Sequence, residues 1–179
     1  MKFVRLFILL PLLGTILLGC VSGAPDGVKP VTNFELQRYL GTWYEVARLD
    51  HRFERGLSEV TANYSLRDDG GVAVVNKGRN DESGEWEEAE GKAYFVGDSS
   101  VGQLKVSFFG PFYGGYNIIE LDQENYQYSL VAGPDRNYLW LLSRTPQLAP
   151  DVQDRLVGLA ESLGFPVDEL IFVTQPGAQ

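Results

Sequence analysis

From Gly41 to Ser143 apolar and polar positions alternate in short bursts separated by turn residues. Val60, Ala62, Tyr64 and Leu66 interleave with Thr61, Asn63 and Ser65, the period-two pattern of a half-buried strand. Asp68-Asp69-Gly70-Gly71 then marks a tight hairpin. The same rhythm returns at Val72, Val74 and Asn76, at Gly91, Ala93 and Phe95, at Leu104, Val106 and Phe108, and at Tyr116 and Ile118. The pauses fall at residues 81–84, 97–100, 110–115, 122–125 and 133–137, each rich in Gly, Asp, Asn or Pro. Eight strands are predicted, beginning near Gly41, Ser58, Val72, Glu85, Gly102, Gly114, Tyr126 and Tyr138.

Eight sequential strands joined by short turns suit an all-β, antiparallel up-and-down barrel, which removes its exposed edges by closing on itself. A two-sheet sandwich produces the same alternation and stays open on spacing alone. The period changes once more after Pro150. Val152, Leu156, Leu159, Ala160 and Leu163 recur at helical spacing until Gly164 and Pro166, which predicts one C-terminal helix packed outside the sheet. Residues 171–174 are β-rich and are expected to add a short last strand at an edge. Such an edge could also pair two copies of the chain as a homodimer.

The N-terminus follows a different logic. Lys2 and Arg5 precede an apolar run, Leu6 to Leu18, that ends abruptly at Gly19-Cys20. The run is too short for a comfortable membrane span and has the layout of a secretory signal. Leu17-Leu18-Gly19-Cys20 resembles the lipobox of bacterial lipoproteins. That resemblance implies cleavage before Cys20, acylation of its thiol, and a membrane anchor. Val21, standing where an Asp would signal inner-membrane retention, points by the same rule to the outer membrane, on its periplasmic face. The expected organisation is a signal peptide at 1–19, a lipidated cysteine and tether at 20–33, and a folded domain at 34–179.

Composition removes several classes of function. The 179 residues carry 15 Lys and Arg against 24 Asp and Glu, a formal charge of −9. A nucleic-acid partner is therefore not expected, because phosphate contacts require a clustered positive face. One His and one Cys cannot supply a Cys/His metal set, and neither a metal nor a cofactor is expected. The acidic run Glu85, Glu87, Glu88 and Glu90 lacks the regular ligand spacing of a calcium loop. Asn63-Tyr64-Ser65 matches a glycosylation acceptor but falls in mid-strand.

Gly41-Thr42-Trp43-Tyr44-Glu45 at the start of the first strand, with Leu142-Ser143-Arg144-Thr145-Pro146 after the eighth, resembles the lipocalin family. Residues 39–56 and 105–117 resemble its bacterial outer-membrane lipoprotein members, which are similar to apolipoprotein D. The resemblance runs from about Phe34 to Pro176. It implies an eight-stranded calyx with a flanking helix and a lipid-binding role. It also implies that Trp43 and Arg144 form a structural pair closing one barrel end. The Thr-Asp-Tyr turn found in many lipocalins is absent, and residues 122–125 occupy its place.

If the sheet closes, alternation assigns its lining. Val60, Ala62 and Tyr64 are expected to point inward from the second strand, Val74 from the third and Ala93 from the fourth. Val106 and Phe108 follow from the fifth, Tyr116 and Ile118 from the sixth, and Tyr138, Trp140 and Leu142 from the eighth. Small residues then face aromatics across an apolar slot, unless the side chains interdigitate and fill it. Phe53 and Leu57 are expected at the mouth. Arg48, Arg52 and Arg55 could meet an anionic head group there, or could pair with Asp50, Glu54 and Glu59. A fatty acid or lysophospholipid fits such a slot. The competing classes are an esterase-like enzyme on the same fold and a purely structural envelope protein. His51 is a weak catalytic candidate, since no Gly-x-Ser-x-Gly elbow is present.

Overall fold

The computed structural model describes residues 23–177. Eight antiparallel strands follow one another: β1 (Gly41–Arg48), β2 (Leu57–Leu66), β3 (Val72–Asn80), β4 (Trp86–Phe95), β5 (Gln103–Ser107), β6 (Gly114–Leu121), β7 (Tyr128–Ala132) and β8 (Leu139–Ser143). Each pairs with the next, and β1 pairs with both β8 and β2, so the sheet is a closed barrel and not a sandwich. Strand starts agree with the sequence pattern to within about two residues. Tyr126 differs for a clear reason: it holds a left-handed φ of 56° and belongs to the turn before β7.

The seam between β1 and β2 is closed in two ways. Near one end Gly41–Tyr44 pair directly with Tyr64–Thr61. Further along, Glu59 takes a positive φ of 50° and the β2 register shifts, so the strands diverge. The short strand β9 (Ile171–Phe172) pairs with Ala47 and Arg48 there. Gln175 Nε2 then donates to the carbonyls of both Glu45 and Val60, each at 2.8 Å. The predicted last strand thus fills a gap in the barrel wall.

Two cores result. One lies outside the barrel, where helix α2 (Pro150–Ser162) lays Leu156 and Ala160 on Ala47, Leu130, Leu139 and Leu141. Pro150 stands in the first turn, and Gly164, with φ of 81°, ends the helix. The other core fills the base half of the barrel interior, around Phe34, Leu104, Ile118, Leu121 and Val131. The stretch expected to be a tether takes part in both. Val28 packs under the helix-side core, and Val31 bonds through its main chain to Ile118 and Gly102. Cys20 lies outside the described residues.

The barrel base is plugged by the one-turn helix α1 (Leu36–Tyr39), which the hydrophobic pattern does not announce because four residues show no period. Trp43 is fully buried and donates to the Tyr39 carbonyl at 2.8 Å. The Arg144 guanidinium lies 3.9 Å from the centre of the indole and donates to the carbonyls of Arg38, Thr42 and Tyr126. This guanidinium ties α1, β1 and the β6–β7 turn together. Replacing Arg144 by Ala is expected to cost about 2–4 kcal/mol, a cation–π contact plus the donors to otherwise orphaned carbonyls. Urea denaturation checks this, and Lys should recover only a small part because it lacks the planar fork.

Candidate functional site

Above the plugged base the barrel is hollow. The cavity measures about 720 Å³ and opens at the end where β1 leads into β2 and β5 into β6, within the range of ligand-holding pockets. Its floor is a knot of tyrosines. The Tyr116 hydroxyl lies 2.9 Å from that of Tyr39 and 2.8 Å from that of Tyr64, and Tyr39 also reaches Ser129 at 3.2 Å. Burial pushes the Tyr39 phenol up to about 12 and the other two well above their ordinary value. The floor is therefore neutral, with its hydroxyls satisfied by one another and by Ser129.

The wall is built by strand alternation. Val60, Ala62 and Tyr64 of β2, Val74 of β3, Ala93 of β4 and Val106 of β5 all line it. Phe108, Tyr116, Tyr138, Trp140 and Leu142 complete the circuit, with Phe53 and Leu57 at the mouth. Gly91 keeps the space open: a Cβ there would stand 2.8 Å from the Phe108 ring, so only glycine lets that ring lie against the wall. Ile118 departs from the expected lining. It is fully buried in the base core, two residues below Tyr116 on a strand running toward the base, and the tyrosine floor separates it from the cavity.

The mouth side of the wall holds a buried polar cluster, where the sequence pattern places either a head-group site or solvated ion pairs. Arg48 is 2% exposed and donates to the Glu45 carboxylate at 2.7 Å and to the Glu54 and Leu57 carbonyls. The Glu54 carboxylate accepts from the Trp140 indole at 3.1 Å and from Asn76, and its Oε2 lies 3.1 Å from His51 Nε2. His51 is itself buried on the cavity wall, and among the described residues its Nδ1 has no hydrogen-bond partner and its Nε2 only the contact with Glu54. Of the three mouth arginines, Arg48 is thus committed to Glu45. Arg55 pairs with Asp50 at 2.6 Å. Arg52 remains on the cavity wall, over the Phe53 ring at 5.1 Å. Glu59 pairs with Arg79 instead.

The two carboxyls of this cluster titrate in opposite senses. Burial, then the charge of Glu54, raise Glu45 well above its ordinary 4.5 despite Arg48. Burial also acts to raise Glu54, but the contact with His51 and the Trp140 hydrogen bond outweigh it and hold Glu54 below its ordinary value. For Glu45 the folded state binds the proton more tightly than the unfolded chain. Its stabilising contribution is full below pH 4.5 and declines as pH rises toward the folded value. Glu54 acts in reverse, its contribution being lost as pH falls. The stability difference between the wild type and Glu45→Gln should therefore fall as pH rises above 4.5, as read from urea midpoints at successive pH values.

The comparisons with known proteins fit this geometry. A lipocalin-like domain model matches residues 34–175. The outer membrane lipoprotein Blc of Citrobacter freundii is 61% identical over 154 residues, covering 86% of each chain. That of Escherichia coli K12 is 57% identical, covering 91% of this chain and 92% of the relative. Among solved structures, insecticyanin from the tobacco hornworm superposes with a TM-score of 0.68 at 21% identity, over 87% of this chain and 88% of that one. A closed eight-stranded calyx with an outer helix, the Trp43–Arg144 base and the matched span together place this chain in the lipocalin family.

Proposed function

We propose that the protein is an outer-membrane lipoprotein, anchored through acylated Cys20 on the periplasmic face, whose barrel stores or carries a fatty acid or lysophospholipid. The observation that carries this reading is the cavity itself: about 720 Å³, apolar along its wall, neutral at its floor and open at one end. An acyl chain gains about 0.8 kcal/mol for each methylene withdrawn from water, so reversible burial suffices and no covalent step is required. The mouth supplies polar residues toward a head group, with His51 and Arg52 both on the cavity wall. The identity of 57–61% with outer membrane lipoproteins supports the location.

Native mass spectrometry of the purified protein, followed by titration with a fluorescent fatty acid and displacement by lysophospholipid, tests the reading. Stoichiometric uptake and displacement are expected. A barrel that purifies empty and takes up neither ligand overturns it. An esterase on this scaffold is separated by His51→Ala: a carrier keeps acyl-chain binding, whereas a catalyst loses ester turnover.

A further inference from the structure

Four of the five exposed Phe and Trp side chains among the described residues gather at one end of this barrel. Phe109 and Phe112, in the β5–β6 loop, are 71% and 77% exposed, and Phe53, in the β1–β2 loop, is 57% exposed. All three border the cavity mouth, and Trp86, half exposed at the start of β4, stands at the same end. Three separate chain segments thus bring bare aromatic rings to one rim. Each ring group carries a cation: Arg52 over Phe53 at 5.1 Å, Lys77 over Trp86 at 4.9 Å, and Lys105 over Tyr113 at 5.1 Å. Aromatic rings at the acyl boundary with basic side chains reaching the phosphate level are the pattern of a membrane–water interface.

The chain's own path says which surface this rim meets. Gly23, the first described residue, is held at the mouth end: its carbonyl accepts from Asn117 Nδ2 at 3.2 Å and lies against Gly115, a residue of the cavity mouth. From there the chain runs down the barrel to Phe34 at the base. Two residues, Val21 and Ser22, separate Gly23 from Cys20, so three residue steps give a reach of about 10 Å even when fully extended. The base lies a strand length away: the eight residues of β6 span about 27 Å at 3.4 Å each. An acyl anchor on Cys20 can therefore touch the bilayer with the mouth down but not with the base down.

We propose that the open rim is a membrane-docking surface, in which Phe53, Phe109 and Phe112 enter the interface of the phospholipid bilayer that holds the anchor. Lipid then passes between leaflet and cavity without crossing water. This orientation rests on the lipoprotein reading of Cys20. Glu87 and Glu88 also border the cavity mouth and offset the three cations. Docking therefore depends on apolar burial, and its salt dependence is weak.

The acylated protein reconstituted in phosphatidylethanolamine–phosphatidylglycerol vesicles tests this directly. An environment-sensitive fluorophore is placed on Phe112→Cys at the rim and, separately, on Leu66→Cys at the base hairpin. The rim fluorophore should shift to the blue and be quenched by lipids bearing a quencher near the head group, while the base fluorophore stays aqueous. Quenching at the base, or at neither site, overturns the proposal. In a second arm, Phe109→Ser/Phe112→Ser is expected to lower the rate of loading of a fluorescent fatty acid from vesicles, relative to loading from solution, about tenfold. An unchanged ratio overturns direct transfer. The quenching arm needs no cargo, so a docked rim in a barrel that binds no fatty acid would sink the carrier reading alone.

Discussion

Arg48→Met should unfold the protein at markedly lower temperature, by about 8–15 °C. The guanidinium is 2% exposed and serves three acceptors at once: the Glu45 carboxylate and the carbonyls of Glu54 and Leu57. Removing it strips the buried Glu45 carboxyl of its counter-charge beside Glu54, so that it stays buried only by holding its proton, and takes a donor from the Leu57 and Glu54 carbonyls, of which Glu54 keeps the Leu57 N–H. Breaking a buried ion pair by deleting one partner costs about 3–5 kcal/mol, because the survivor keeps its desolvation penalty. For a domain of this size each kcal/mol moves the midpoint by about 2–4 °C. The double change Arg48→Met/Glu45→Gln separates the contributions. It removes the stranded carboxyl and should recover more than half of the loss, leaving the lost guanidinium–carbonyl bonds as the remainder. Calorimetric midpoints for the four corners of this cycle give the coupling, and a double variant no more stable than Arg48→Met would mean that the carbonyl bonds, and not the charge pair, hold the cluster.

This cluster is also where reading the sequence falls short, and the cause is geometric. On a regular strand Glu45 and Arg48, three positions apart, would face opposite sides of the sheet. A bulge between Glu45 and Ala47 inserts one residue and returns both to the same side. Nothing in the pattern of β1 marks that insertion, so charges near a strand end read as solvated. Ile118 fails similarly. The alternation along β6 places it inward correctly, but the level of the floor is set by tyrosines from α1 and β2 and by Val31, contacts far apart in sequence. The Ser22–Thr32 stretch reads as a linker from its Gly and Pro content, yet two apolar residues in it, Val28 and Val31, are enough to dock it. By contrast, the strands, the hairpin at Asp69-Gly70 and the helix from Pro150 were legible because each rests on local periodicity and turn chemistry. The barrel base was legible only through the resemblance to lipocalins: neither periodicity nor spacing joins Trp43 to Arg144, about a hundred residues away, and the contact exists because the sheet closes.

Filling the cavity should abolish acyl binding while leaving the fold intact, and Ala62→Trp is the variant that separates these two outcomes. Ala62 lies in the middle of β2, paired with Trp43 and Asn76, and its side chain borders the cavity. In a packed interior an added indole would cost about 1–3 kcal/mol in strain. Here it enters vacant space against apolar walls, and burying a large apolar side chain contributes about 1.5–3 kcal/mol in the stabilising direction. The midpoint of unfolding should therefore hold or rise. A ligand loses what the indole occupies: displacing about four methylenes, at about 0.8 kcal/mol each, removes about 3 kcal/mol, or roughly a hundredfold in Kd. Leu66→Trp, on the exposed base hairpin below the tyrosine floor, adds the same side chain outside the cavity and should leave Kd unchanged. Titration of both variants with a fluorescent fatty acid decides the matter. Equal affinity for Ala62→Trp and the wild type would place the acyl chain somewhere other than the hollow of the barrel, and the carrier reading would go with it.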